Sequence, residues 1–173
     1  MKLIKTVMAS AVAMALVSFG ANAANQGQGV VNFKGTVIDA PCGIAQESAD
    51  QSIDFGQIGK SHLANGGISV MKDVDIKLVN CNATSLAKGV SLTFTGNTVN
   101  SAINELVTAG PTNTAVVLNG YGSDITFGTP TDFVKLSDGD NTLRFKSWVK
   151  QASGKTVAEG DFTAVANFSL AYE

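Results

Sequence analysis

Cys42 and Cys81 are the residues most able to react with one another, because they are the only cysteines in 173 residues. In an exported chain an even pair reads first as a structural disulfide. Closing a loop of about 40 residues constrains the unfolded chain by about 4 kcal/mol on the chain-entropy model. A structural metal site would require more Cys or His ligands, and a redox pair would normally be spaced Cys-x-x-Cys. His62, the sole histidine, stands in a Gly-, Ser- and Asn-rich stretch without a Cys or acidic cluster beside it, so a solvated loop position is expected. Glu47, Asp50 and Asp54 lack the spacing of a calcium loop, and a solvated acidic face accounts for them. No Gly-x-Ser-x-Gly nucleophile elbow occurs. The expectation is therefore a chain with no catalytic, metal or cofactor site, whose only side-chain chemistry is a crosslink.

Export is written at the N-terminus. Lys2 and Lys5 precede an apolar stretch from Val7 to about Phe19, and Ala21-Asn22-Ala23 has the small-x-small pattern of a cleavage site. These are the three parts of a secretory signal peptide, assigned to residues 1–23. The apolar stretch is about a dozen residues, short of the roughly 20 that a membrane anchor requires. Removal of the leader leaves 150 residues, enough for one domain. It also leaves 10 basic against 14 acidic side chains, a net charge of −4. That balance offers no basic surface for nucleic acid or anionic lipid.

The elements that must carry the cysteines are strands. Gly29, Val31, Phe33, Gly35 and Val37 alternate with Val30, Asn32, Lys34 and Thr36, a period of two. Ala40-Pro41-Cys42-Gly43 ends this run, since Pro41 removes a backbone donor. A short strand is expected at Ser52–Phe55 and a loop at Gly59–Gly67. Ile68–Asn80 is the strongest internal strand, with Val70, Val74, Ile76 and Leu78 on one face and a bulge or strand end before Cys81. Val90–Thr95 alternates and stops at Gly96-Asn97. Two further strands are expected around Ala115–Leu118 and Asp124–Phe127. In Thr142–Gln151, Leu143, Phe145 and Val149 face inward while Arg144, Lys146, Trp148 and Lys150 face outward. No helix beyond the leader is expected. Several short antiparallel strands with turn residues between them indicate an immunoglobulin-like β-sandwich.

The two ends of the mature chain do not fit an ordinary sandwich. In the last run, Gly160 to Glu173, the residues Phe162, Ala164, Ala166, Phe168, Leu170 and Tyr172 share one parity, so a strongly one-sided strand closes the sequence. A long apolar edge is an aggregation liability that proteins normally blunt. A spare apolar strand sits at the opposite end, behind a small polar tail. An unsatisfied edge and a spare strand imply exchange between copies.

Three segments resemble a known family: Gln26 to Cys42, Ser48 to Gln57, and Asp75 to Cys81. The ending from Ala164 to Phe168 and on to the penultimate Tyr172 joins them, as does Gly160, the fourteenth residue from the end. Together with the two spaced cysteines, these are similar to chaperone–usher fimbrial subunits, closest to rod pilins of the P-pilus type. The resemblance covers most of the mature chain and is least distinctive in the middle third. It implies an incomplete immunoglobulin-like β-sandwich lacking the seventh strand, completed in trans by a donor strand. It also implies a division into the leader, an N-terminal extension at 24–37 and a pilin domain at 38–173. Gly29, Val31, Phe33, Gly35 and Val37 correspond to the donor strand, with Gly35 at the shallow point of the groove. Gly160, Phe162, Ala164, Ala166, Phe168, Leu170 and Tyr172 correspond to the acceptor groove and chaperone-binding strand. The implied partners are copies of the chain itself in a head-to-tail polymer, a periplasmic chaperone, an outer-membrane usher and other fimbrial subunits. The implied route leads through the periplasm to a fimbria on the cell surface.

Trp148 stands on the outward parity between two lysines, and either packs on its own surface or stacks between subunits of a wound rod. A tip-proximal subunit or adhesin with direct receptor binding is the main rival, although tip adhesins of this family carry an extra receptor domain and no donor extension. A secreted β-sandwich hydrolase is the remote one. Any host receptor is left open by the sequence.

Overall fold

The computed structural model describes residues 29–100 and 102–173; the expected leader at 1–23 and the first residues of the extension, 24–28, lie outside them. The chain divides into two units, residues 1–36 and 37–173. In the first, residues 29–36 adopt neither helix nor strand. Val31 is 74% exposed and Phe33 is 91% exposed. The strand expected over Gly29–Val37 is thus not formed in this chain. A single extended segment makes no ladder hydrogen bonds by itself, so an alternating pattern becomes a strand only where an edge receives it.

Among its described residues the second unit has nine strands: β1 (Gly43–Ile44), β2 (Lys72–Cys81), β3 (Val90–Thr95), β4 (Thr98–Val99), β5 (Ala102–Val107), β6 (Thr114–Gly120), β7 (Ser123–Asp124), β8 (Gly139–Gln151) and β9 (Asn167–Tyr172). One sheet runs β1-β2-β8-β6-β5-β4, with β7 also paired to β6, and the other is the pair β3-β9. Every pairing is antiparallel. The inner faces meet in one core containing Ile76, Leu78, Val90, Leu92, Leu143, Phe145 and Val149. Phe94 sets its ring edge-on to Phe145 at 5.0 Å, an arrangement favoured by the ring quadrupoles. A sandwich with a full sheet on one side and two strands on the other is an incomplete immunoglobulin-like fold.

Several expected elements take a different form. Ser52–Phe55 forms no ladder, although Ile53 and Phe55 pack half-buried against the core. The C-terminal run is not one continuous strand: only Asn167–Tyr172 joins β3, and ahead of it Thr163 forms an isolated bridge with Ala109. Val70 does not join the inward face of β2 but is 77% exposed. Between the Ile68–Lys150 bridge and the Lys72–Ser147 pair, the β2 side carries one more residue than its partner. That bulge turns Val70 outward. The shift expected before Cys81 is present between Leu78 and Cys81. The middle of the chain holds β4 and β5, which its Asn- and Thr-rich composition concealed, whereas β7 covers only Ser123–Asp124. Single-turn helices α1 (Gln46–Ala49) and α2 (Lys60–Leu63) stand where no helix was expected, the second lying with a 3₁₀ turn at Ala64–Gly66 inside the loop expected at Gly59–Gly67. Four residues are too few for periodicity to reveal.

Candidate functional site: an open groove beside an unpaired strand edge

The feature that stands apart in this fold is a groove with a volume of about 700 Å³. Its floor is apolar, formed by Val74, Ile76, Phe94, Leu106, Val116 and Leu118. One rim is the connection after α1, including Gln51, Ile53 and Phe55; the other is Phe162 to Phe168. Phe55 and Phe162 approach each other at 6.4 Å between ring centroids, and Phe94 and Phe168 at 6.3 Å. Ser52–Phe55 runs along this rim without a ladder partner among the described residues, which is why its strand pattern finds no strand.

The backbone of the second rim has a defined polarity. Gly89 and Glu173 exchange both N–H···O bonds, at 2.9 and 3.0 Å. In an antiparallel pair such exchanges fall on alternate residues, so the pairs Ser91–Ala171, Thr93–Ser169 and Thr95–Asn167 also bond across the β3-β9 ladder. Phe168, Leu170 and Tyr172 therefore turn their N–H and C=O groups away from β3. The same parity holds upstream, where Thr163 exchanges both bonds with Ala109 at 2.7 and 3.1 Å. Phe162 and Ala164 consequently point theirs the other way. Among the described residues the rim is thus an unpaired main-chain edge, and the side chains of those same residues, Phe162, Ala164, Phe168, Leu170 and Tyr172, are partly buried against the core.

The remaining residues expected on an acceptor edge are placed as follows. Gly160 has φ +139° and touches Pro111 so closely that a Cβ would collide with that ring; it marks the turn into the rim. Ala166 is exposed and lines the groove. The Tyr172 hydroxyl is buried with no hydrogen-bond partner among the described residues, and burial pushes its phenol pKa up. The residues expected to form a donor strand, Gly29, Val31, Phe33, Gly35 and Val37, are all exposed. Among the described residues no atom lies within 4 Å of where a Cβ at Gly35 would stand.

Cys42 and Cys81 form the disulfide, and both are buried. It ties the segment entering β1 to the end of β2. The other candidates have local roles. Glu47 on α1 pairs with Lys77 at 3.3 Å on the surface; a backbone hydrogen bond first, then Lys77, hold its carboxyl below the usual range. Asp54 accepts a hydrogen bond from the Gly56 amide at 2.7 Å. His62 and Asp50 are exposed, and among the described residues no three His, Cys, Asp or Glu side chains gather as a metal site. Trp148 is half-buried opposite Val117.

One polar centre was not foreseen. Glu105 on β5 is only 2% exposed. Lys150 Nζ donates to its Oε1 at 2.7 Å, and Ser153 donates its amide to Oε2 at 2.8 Å and its hydroxyl to Oε1 at 2.7 Å. Burial opposes ionisation of this carboxyl, but the donors from Lys150 and Ser153 outweigh it and hold its pKa below the usual range. The neighbours of Glu105 in sequence, Asn104 and Leu106, gave no sign of a buried partner 45 residues away.

The incomplete sandwich, its crosslink and its open edge define a pilin-type subunit, and the chain belongs to the fimbrial protein family, whose model matches residues 31–173. It is 51% identical over 185 residues to the Pap fimbrial major pilin protein of Escherichia coli, covering 99% of this chain and 100% of that one. It is 54% identical over 187 residues to the KS71A fimbrillin of the same organism, with 99% and 100% covered. Among solved structures, the crystal structure of the P pilus rod subunit PapA superposes with a TM-score of 0.74 at 47% identity, covering 78% of this chain and 100% of that chain. A chaperone–usher pilus whose structure addresses rod uncoiling superposes with a TM-score of 0.81 at 50% identity, covering 86% and 97%.

Proposed function

We propose that this chain is a non-enzymatic structural subunit of a chaperone–usher fimbrial rod, and that it polymerises by lending residues 24–37 as a strand to the groove of a neighbouring copy. The observation that carries this is the unpaired main-chain edge from Phe162 to Tyr172 running beside an open apolar groove. Adding a strand there satisfies the free N–H and C=O groups and fills the groove with alternate side chains, the β-augmentation mode. Gly29, Val31, Phe33, Gly35 and Val37 share one parity and supply such side chains. Burial of Val31, Phe33 and Val37 stabilises by roughly 1.5–3 kcal/mol each, before the ordering of the extension is subtracted.

Before assembly the same edge must be covered, because an exposed apolar edge aggregates. A periplasmic chaperone covers it by lending a strand, and an outer-membrane usher is the place of exchange. The subunit then resides in an extracellular fimbria. The tip-adhesin alternative is not favoured: the Pap and PRS fimbrial major pilin proteins are both matched over their full length. Nor does a hydrolase fit membership in a family of structural subunits.

Deletion of residues 24–37 tests the assignment. The shortened subunit is expected to be captured by its chaperone and secreted to the usher, yet to yield no fibres when it is the only subunit. Normal fibres from the deleted form, seen by electron microscopy, would remove the donor role.

A further inference from the structure

The sequence contains two Asn-Gly pairs, Asn65-Gly66 and Asn119-Gly120, and the fold treats them in opposite ways. Asparagine followed by glycine is thermolabile because glycine places no side chain in the way of its own backbone nitrogen. Asn65 and Gly66 are both exposed. They sit in the single 3₁₀ turn at Ala64–Gly66, with Asn65 at φ 57° and Gly66 at φ +84°, and a Gly67 amide bond to the Ala64 carbonyl at 3.2 Å closes that turn. A Cβ at Gly66 would meet nothing within 4 Å. One exposed turn with so few bonds opens locally at little cost.

Asn119-Gly120 is held instead. Both residues lie in β6, where Asn119 pairs with Lys146 of β8 and with Asp124 of β7. The Asn119 amide Nδ2 donates to Asp124 Oδ1 at 2.8 Å. Gly120 is buried against the Phe145 ring, with no room even for a Cβ.

We propose that Asn65 is a site of spontaneous deamidation and isoaspartate formation in the folded subunit, and that Asn119 is protected by the sheet. The Gly66 amide nitrogen gives up its proton to solvent and attacks Asn65 Cγ; the new C–N bond forms as the Cγ–Nδ2 bond breaks, and Nδ2 takes a proton back from solvent and leaves as ammonia. Water then opens the resulting succinimide at either carbonyl, giving aspartate or isoaspartate. Each event adds one negative charge to the surface of one copy. Resting on the rod-subunit role, a fibre of such copies accumulates this charge as it ages, because its subunits are not replaced once outside the cell.

The test incubates the purified mature subunit at mildly alkaline pH and follows the tryptic peptide 61–72, in which Asn65 is the only asparagine. Expected is a mass gain equal to the difference between a hydroxyl and an amino group, in two chromatographic forms, one of them a substrate for isoaspartyl methyltransferase. Fragment spectra of peptide 89–135 should show Asn119 intact in the folded protein and converted after unfolding with reductant and denaturant. An Asn65→Ser variant should lose the 61–72 signal. Persistence of the Asn65 amide in the folded subunit, or conversion of Asn119 at the same rate as Asn65, overturns the proposal. Because these readouts need no polymer, they stand or fall apart from the assembly role; comparison of freshly grown and aged fibres then tests the ageing consequence.

Discussion

Glu105 illustrates how much one side chain can depend on distant partners. Its carboxylate is buried and answered by Lys150 and Ser153, so removing it leaves the Lys150 ammonium half-buried with its strongest partner gone. Glu105→Ala should destabilise the subunit by about 3 kcal/mol, the low end for a broken buried pair, read as a lower urea midpoint. The pH dependence has a definite sign. A carboxyl whose folded pKa is depressed contributes stability that is present above its unfolded pKa and is lost as pH falls through the folded value. Wild-type stability should therefore fall as pH drops below the ordinary carboxylate range, about 4.3 for Glu, and Glu105→Gln should flatten that part of the profile. A thermal-unfolding series against pH checks it. Gly35 gives the opposite case. Nothing among the described residues crowds it, so Gly35→Leu should leave the urea midpoint of the isolated subunit unchanged while slowing polymerisation, followed by light scattering. An equal polymerisation rate would mean that Gly35 does not seat in a tight part of a groove.

At the scale of elements, the free rim separates two kinds of backbone hydrogen bond. Thr163 is bonded to Ala109, and the next residue, Ala164, turns its amide toward the groove. Proline at position 164 thus removes a donor from the open edge without breaking the Thr163–Ala109 exchange. Ala164→Pro should fold with an unchanged circular dichroism spectrum and should assemble more slowly, because an added strand loses one main-chain bond. A substitution that unfolds the subunit would show instead that this stretch is needed for the fold itself. The disulfide belongs to this scale as well, since it fixes the chain entering β1 against the end of β2. Its contribution of about 4 kcal/mol is set by the loop it closes, and a domain with only two strands on one side has a smaller core with which to replace that contribution.

At the scale of the whole molecule, the proposed assembly places donor and acceptor on different surfaces of one chain; such a contact is heterologous, does not close on itself, and generates filaments. Under that proposal, a subunit without residues 24–37 is expected to accept a strand but to give none. Mixed with wild type, it should shorten fibres in proportion to its fraction, measured by length distributions in electron micrographs; unchanged lengths would contradict head-to-tail donation. What the sequence alone determined is everything encoded by local order. The alternation of Val74, Ile76 and Leu78, and of Leu143, Phe145 and Val149, set strands and their inward faces. Two cysteines in an exported chain set the crosslink, and the one-sided run from Phe162 to Tyr172 marked an edge lacking cover. Only the tertiary structure decided which segments lie side by side. The Ile68–Lys72 bulge that expels Val70, the Glu105–Lys150 pair, the isolated Thr163–Ala109 bridge and the missing ladder at Ser52–Phe55 all arise from register between residues far apart in sequence. Periodicity along one segment carries no record of that register, because it reports which face a residue occupies and not what stands opposite it.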